Sequence, residues 1–151
     1  MPSTTTPTQI RSVLAARIVA AGLREASGPL GAEMEPSTVI DRSFDLRMGE
    51  DADAGQRVVP GAYCRIQQAF TVHLVHAFRV KVGGAARDRA LDDKLAVMKA
   101  CLNRYEDGLA GIEAAIQYQG GTSEDRGGGA YILTSLRWVI VYQLDLTAGV
   151  T

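Results

Sequence analysis

The sequence predicts an α+β fold: an antiparallel sheet of about four strands with two helices packed on one face. Apolar residues recur at helical spacing in two separate stretches, Ile10 to Ala21 and Leu91 to Tyr105. Three other stretches, around Phe44, Leu74 and Trp138, alternate with a period of two. The order of these elements, helix, two long strands separated by a polar connection, helix, then two more strands, suggests an antiparallel sheet with helices packed on one face.

The chain opens with a helix. Thr6 is the candidate N-cap, Pro7 suits the first helical position, and Gln9 completes a Thr-x-x-Gln capping box. Ile10, Val13, Leu14, Ile18 and Ala21 form its apolar stripe, Arg17 lies close enough to run its stem along that stripe, and Gly22 with Gly28-Pro29 ends the element. From Val39 to Met48 the period becomes two, with Ile40, Phe44, Leu46 and Met48 set against Asp41, Ser43, Asp45 and Arg47. That pattern predicts a half-buried strand, and Arg42 interrupts its apolar face.

The segment GEDADAGQRVVPG (49–61) reads as a polar connection long enough to have a contact role. Glu50, Asp51, Asp53 and Arg57 give it charges of both signs, suited to setting register against a neighbour. Asp51, Asp53 and Gly55 resemble the start of a calcium loop, but the later ligands are missing at the required spacing.

Next comes a long strand in which Phe70, Val72, Leu74, His76, Phe78, Val80 and Val82 alternate with Thr71, His73, Val75, Ala77, Arg79 and Lys81. The only two histidines of the chain therefore point to opposite faces and form no local metal pair. His76 is expected on the core face with its ring nitrogens hydrogen-bonded, and His73 on the more polar face, with neither catalytic.

Gly83-Gly84 leads into a second helix with Leu91, Leu95, Met98, Leu102 and Tyr105 as its predicted core stripe and Asp92 and Asp93 as solvated surface. Two strands close the chain. Ile112, Ala114, Ile116 and Tyr118 alternate in the first, and Leu136, Trp138, Ile140, Tyr142, Leu144 and Leu146 share one face of the second. Between them, GGTSEDRGGG (120–129) is expected to be a flexible excursion whose Glu124, Asp125 and Arg126 meet a partner.

Composition narrows the function classes. A length of 151 residues suits one domain over residues 1–151, and 46% hydrophobic with 22% charged residues is the balance of a globular protein. A net charge of −1 supplies no field for non-specific nucleic-acid binding, and no apolar run approaches the length of a spanning helix. The polar start, MPSTTTPTQ, is unlike a secretory signal, so a cytoplasmic protein is expected. Cys64 and Cys101 have no metal-binding spacing and read as reduced thiols. No catalytic, cofactor or metal site emerges from the residues.

Taken along most of its length, the chain resembles the tail terminator proteins of long-tailed phages and gene-transfer particles. The resemblance lies in TPTQIRSVLAARIVAAG, in VIDRSFDLRM before an acidic segment, in AFTVHLVHAFRV, in RDRALDDKLAVMKACLNRY and in the closing WVIVYQLDL. GGTSEDRGGG has no counterpart in that pattern. The resemblance implies a ring of identical subunits, commonly six, that caps the finished tail tube and joins it to the head-side neck. Its partners would be further copies of itself, the tail tube protein and a head-side neck or stopper protein. DNA would pass through the ring without being read. Such a protein resides in the host cytoplasm during assembly and then in the virion tail or neck, with no shared catalytic residues, cofactor or membrane. Two alternatives stay open: another neck component, either a head-to-tail stopper or a tail completion protein, and a small α+β enzyme or ligand-binding domain using a histidine with distant carboxylates.

Overall fold

The computed structural model describes residues 7–30, 39–53, 63–78, 86–102, 116–126 and 130–145. The element order is α1 (Pro7–Ala20), β1 (Arg24–Glu25), β2 (Ser43–Asp53), β3 (Tyr63–Ala77), α2 (Ala86–Leu102), β4 (Gln117–Arg126) and β5 (Tyr131–Asp145). This is an α+β protein with one five-stranded sheet in the order β1-β2-β3-β5-β4. The sheet has one strand more than the sequence suggests and is mixed, because the two-residue β1 lies parallel to β2 while the other pairings are antiparallel.

β3 is the central strand, and its alternation places Phe70, Val72, Leu74 and His76 on one face. On that face they meet Phe44 and Leu46 of β2 and Leu136, Trp138 and Ile140 of β5. Both helices cover it. α1 contributes Ile10, Leu14 and Ile18, and α2 contributes Val97 and Cys101. Trp138 stacks on Phe70 at 5.9 Å between ring centroids and meets Tyr118 of β4 at 4.9 Å. The opposite face carries a second, smaller cluster of Leu30, Val39, Val75, Ala77, Tyr131 and Leu133. One end of the sheet is therefore buried on both sides.

α1 spans Pro7–Ala20, and Thr6, its expected N-cap, lies outside the described residues. It ends on Gly22, whose φ of 105° is the left-handed conformation that a helix C-terminus favours. Four sequence expectations need correction. β2 runs from Ser43 to Asp53, so Glu50, Asp51 and Asp53 belong to a strand rather than a loop. A register shift between Met48 and Asp51 takes up the glycine, and buried Gln68 fastens it by donating to the Gly49 carbonyl at 2.6 Å.

The excursion expected at 120–129 is, over Gly120–Arg126, part of β4, paired with β5 from Gly120↔Arg137 to Arg126↔Tyr131. Glu124, Asp125 and Arg126 are thus edge-strand residues. Pairing with the long β5 supplies the contacts that overcome the glycine entropy. Ile112 and Ala114 fall outside the described residues, as do Arg57, Tyr105 and the glycines at 127–129.

α2 buries a face other than the predicted one. Ala86, Ala90, Asp93, Val97 and Cys101 point inward, whereas Leu91 and Leu95 are 59% and 56% exposed. Asp93, expected on the surface, is buried because two basic side chains meet it there.

Candidate functional site

The two flanks of α2 differ in chemistry. Towards α1 and β2, Arg89 lies 3.5 Å from Asp41, and the Ala100 carbonyl accepts a hydrogen bond from Arg17 of α1. Towards β4, the helix presents Arg87, Leu91 and Lys94 over a groove of about 250 Å³. Ala90 and Ile132 floor this groove, and Ser123 and Asp125 of β4 form its far wall. Arg87 bonds to Asp125 at 3.0 Å and lies 5.6 Å over the Phe78 ring.

Among the described residues β4 has a partner strand on one side only, which leaves its other side, ten residues long, as an unpaired edge. Gln117, Gln119 and Thr122 to Asp125 are exposed, and Glu124 is held by the half-buried Arg126 at 2.6 Å. The strand depends on its two glycines. Gly120 has a φ of 121° at the point where the register shifts, and a Cβ on Gly121 would sit 2.7 Å from the Tyr118 hydroxyl and 2.9 Å from the Ser135 carbonyl oxygen. These contacts let Tyr118 lean over the strand onto Trp138.

The other side of the sheet is partly covered. Arg24 and Ala26 donate backbone amides to the Arg42 and Phe44 carbonyls, and Arg11 Nε donates to the Leu46 carbonyl at 3.1 Å. Past that point β2 continues with exposed Gly49, Glu50 and Asp51.

Two histidine-aspartate pairs flank β3, one on each face. His76, fully buried, has Nε2 2.7 Å from Asp93 Oδ2, and Arg42 grips the same carboxylate through Nε and Nη2, both at 2.9 Å. His76 Nδ1 has no hydrogen-bond partner among the described residues, which departs from the expected satisfaction of both ring nitrogens. On the opposite face His73 Nδ1 lies 2.8 Å from Asp45 Oδ1, while Asp45 Oδ2 accepts the Leu30 amide at 2.6 Å.

Burial alone pushes both carboxyls up. Hydrogen bonds from Arg42 and His76 outweigh it at Asp93, and those from His73 and Leu30 do so at Asp45, so both end below the usual carboxylate range. Burial also pushes the Cys101 thiol up to about 12, against a smaller opposing effect of the Arg17 guanidinium. Cys64 lies in β3 opposite Leu144, and its side chain falls outside the described part.

The residues expected at an interface fall into two groups. Glu124, Asp125 and Arg126 lie on the open β4 edge, and Glu50, Asp51 and Asp53 lie at the far end of β2. They sit at opposite margins of the sheet, so one partner surface on one copy does not gather them. The α2 leucines beside β4 went unassigned as surface because their spacing also fits a core stripe. Asp93 shows its burial only through the spacing of Ala86, Ala90, Val97 and Cys101 around it.

Among the described residues no group of three or more metal-ligating side chains comes together, and no helix is long and apolar enough to cross a membrane. Searches against protein-family models and curated proteins gave no match to this chain.

Proposed function

We propose that this chain is a structural assembly protein, a ring subunit that caps a phage-type tail tube and joins it to the head-side neck. The single observation that carries the reading is the margin formed by β4 and α2. Among the described residues a ten-residue strand edge without a partner strand runs beside Leu91 of α2, which lines the groove next to β4 and, like Leu95 one turn further on, is more than half exposed. An edge of this length is a template for pairing, and natural proteins cover or blunt it. A subunit whose edge is covered by the next copy meets that requirement through assembly.

The resemblance to tail terminators supplies the biological setting. In this reading the partners are further copies of the chain, the tail tube protein and a head-side neck protein, the ring has about six subunits, and DNA passes through its centre. It has no catalytic centre. The histidines support this assignment: His76 has no solvent-exposed surface, and His73 faces its aspartate beneath the Leu30 segment, so both brace the sheet rather than meet a substrate.

The test is electron microscopy of purified protein alone and mixed with tail tubes. Rings seated on one end of tubes of uniform length are expected, together with overlong tubes when the protein is omitted during tube growth. A protein that stays monomeric and leaves tube ends bare and tube length unchanged would overturn the proposal.

A further inference from the structure

We infer that successive copies join head to tail, the free end of β2 in one copy adding to the open edge of β4 in the next, with α1 of the incoming copy seated against the leucine flank of α2. This rests on the ring reading and specifies the contact that would build the ring.

Strand polarity comes first. β3 runs antiparallel to both β2 and β5, and β4 antiparallel to β5, so β2 and β4 point in opposite directions. When copies repeat with the helix-bearing faces on the same side, β4 of one copy and β2 of the next are antiparallel without either being turned over. The sheet then continues from subunit to subunit, a heterologous contact that closes when the rotation per copy divides a full turn.

The covered part of β2 sets the stagger. β1 occupies the outer side of β2 at Ser43 and Phe44, and Arg11 takes the Leu46 carbonyl. Among the described residues no strand pairs with the outer side of β2 from Met48 to Asp53, so an incoming β2 offers that stretch apart from the Gly49 carbonyl held by Gln68, and its covered end must lie beyond the end of β4. Addition of this kind satisfies backbone groups on both edges.

The helix layer fits the same repeat. α1 packs over β2 and α2 over β3 and β5, on one face, so sheet continuation brings the incoming α1 beside α2 above β4. The flank of α2 that waits there bears Leu91 and Leu95. The exposed side of α1 bears Thr8, Ser12, Ala16, Val19 and Ala20, small side chains into which leucines can pack, with Arg11, paired to Glu25, at their border. The charges agree. Glu50 and Asp51 are exposed on the free end of β2, while beside β4 Arg87 and Arg126 offset Asp125 and Glu124, which leaves Lys94 as the net positive charge bordering the groove.

The test uses Leu91→Glu on α2, Ala16→Arg on α1 and the double variant, with folding checked by circular dichroism and assembly by light scattering with and without tail tubes. Each single variant is expected to raise the concentration needed for ring formation about tenfold or more. The double variant should recover much of that loss, because the new charges of opposite sign meet across the contact. As a second measurement, Thr122→Cys copies mixed with Glu50→Cys copies should give an oxidative cross-link joining β4 of one copy to β2 of the other, located by mass spectrometry.

Rings that form equally well in all three variants, without the cross-link, would overturn this contact while leaving the ring reading standing. Rings of Leu91→Glu that form normally but fail to seat on tubes would assign the leucine flank to the tube protein and overturn it too. A wild-type chain that stays monomeric with and without tubes would remove both the contact and the ring.

Discussion

Arg42 is the residue on which three elements converge. Its φ of 58° is left-handed, a conformation that costs a non-glycine residue about 1–2 kcal/mol, and its backbone is fastened on both sides by the Val75 carbonyl and the Arg24 amide. That geometry aims the guanidinium at Asp93 of α2, which also receives His76 of β3. Asp93→Asn is expected to lower stability by about 1–3 kcal/mol, since it leaves His76 buried with a poorer partner. His76→Gln should cost a similar amount. The two losses should add to less than their sum in a double-mutant cycle read by urea denaturation, because both variants break the same contact. Additive losses would show that the pair is not coupled. His73→Ala should cost less, about 1 kcal/mol, because Asp45 keeps the Leu30 amide and Arg47 at 3.5 Å. Nothing in the bare sequence marks Asp93 apart from Asp92; only the burial of its helical neighbours does.

At the scale of elements, α2 shows what a hydrophobic pattern can and cannot specify. Leu91, Leu95, Met98 and Leu102 repeat at steps of four, three and four, and so do Ala86, Ala90, Asp93 and Val97. Both stripes have helical spacing, so periodicity identifies the helix without choosing which flank faces the sheet. The leucines read as core because they are larger and more apolar, yet the narrow space over β3 and β5 takes the alanines. β3 was legible from Phe70 onward because period two leaves a single assignment of faces, including the opposed histidines, whereas its first part, Tyr63 to Ala69, was not read as strand. β4 was hidden by composition. Its glycines read as flexibility, whereas Gly121 is there because Tyr118 and the Ser135 carbonyl leave no room for a Cβ. Gly121→Ala is accordingly expected to destabilise by about 1–3 kcal/mol and to speed amide exchange along residues 117–126, whereas Thr122→Ala should do neither. Unchanged exchange in Gly121→Ala would mean that the strand relaxes around the methyl group. Glu124, Asp125 and Arg126 were singled out by their charge on a segment read as a flexible excursion, and they lie on a strand instead.

For the whole molecule, the two lowered carboxyls tie stability to acid. Asp45 and Asp93 titrate below the ordinary aspartate value of about 3.9, so each contributes stability above that value and loses it as pH falls through its lowered folded pKa. Wild-type protein should exceed an Asp45→Asn/Asp93→Asn double variant in urea midpoint at pH 6, with the difference shrinking steadily as the pH falls below about 4. A constant gap across that range would mean that the carboxylates contribute through packing rather than charge. The length and pairing of β3 have a mechanical consequence as well. All fifteen of its residues are in register with β5, and much of its length also pairs with β2. A load applied along this strand strains both ladders in shear, so many hydrogen bonds share it at once. A pull across the sheet at β4 would instead peel one pair after another. The sheet is built to bear tension along its strands and to yield first at its margin.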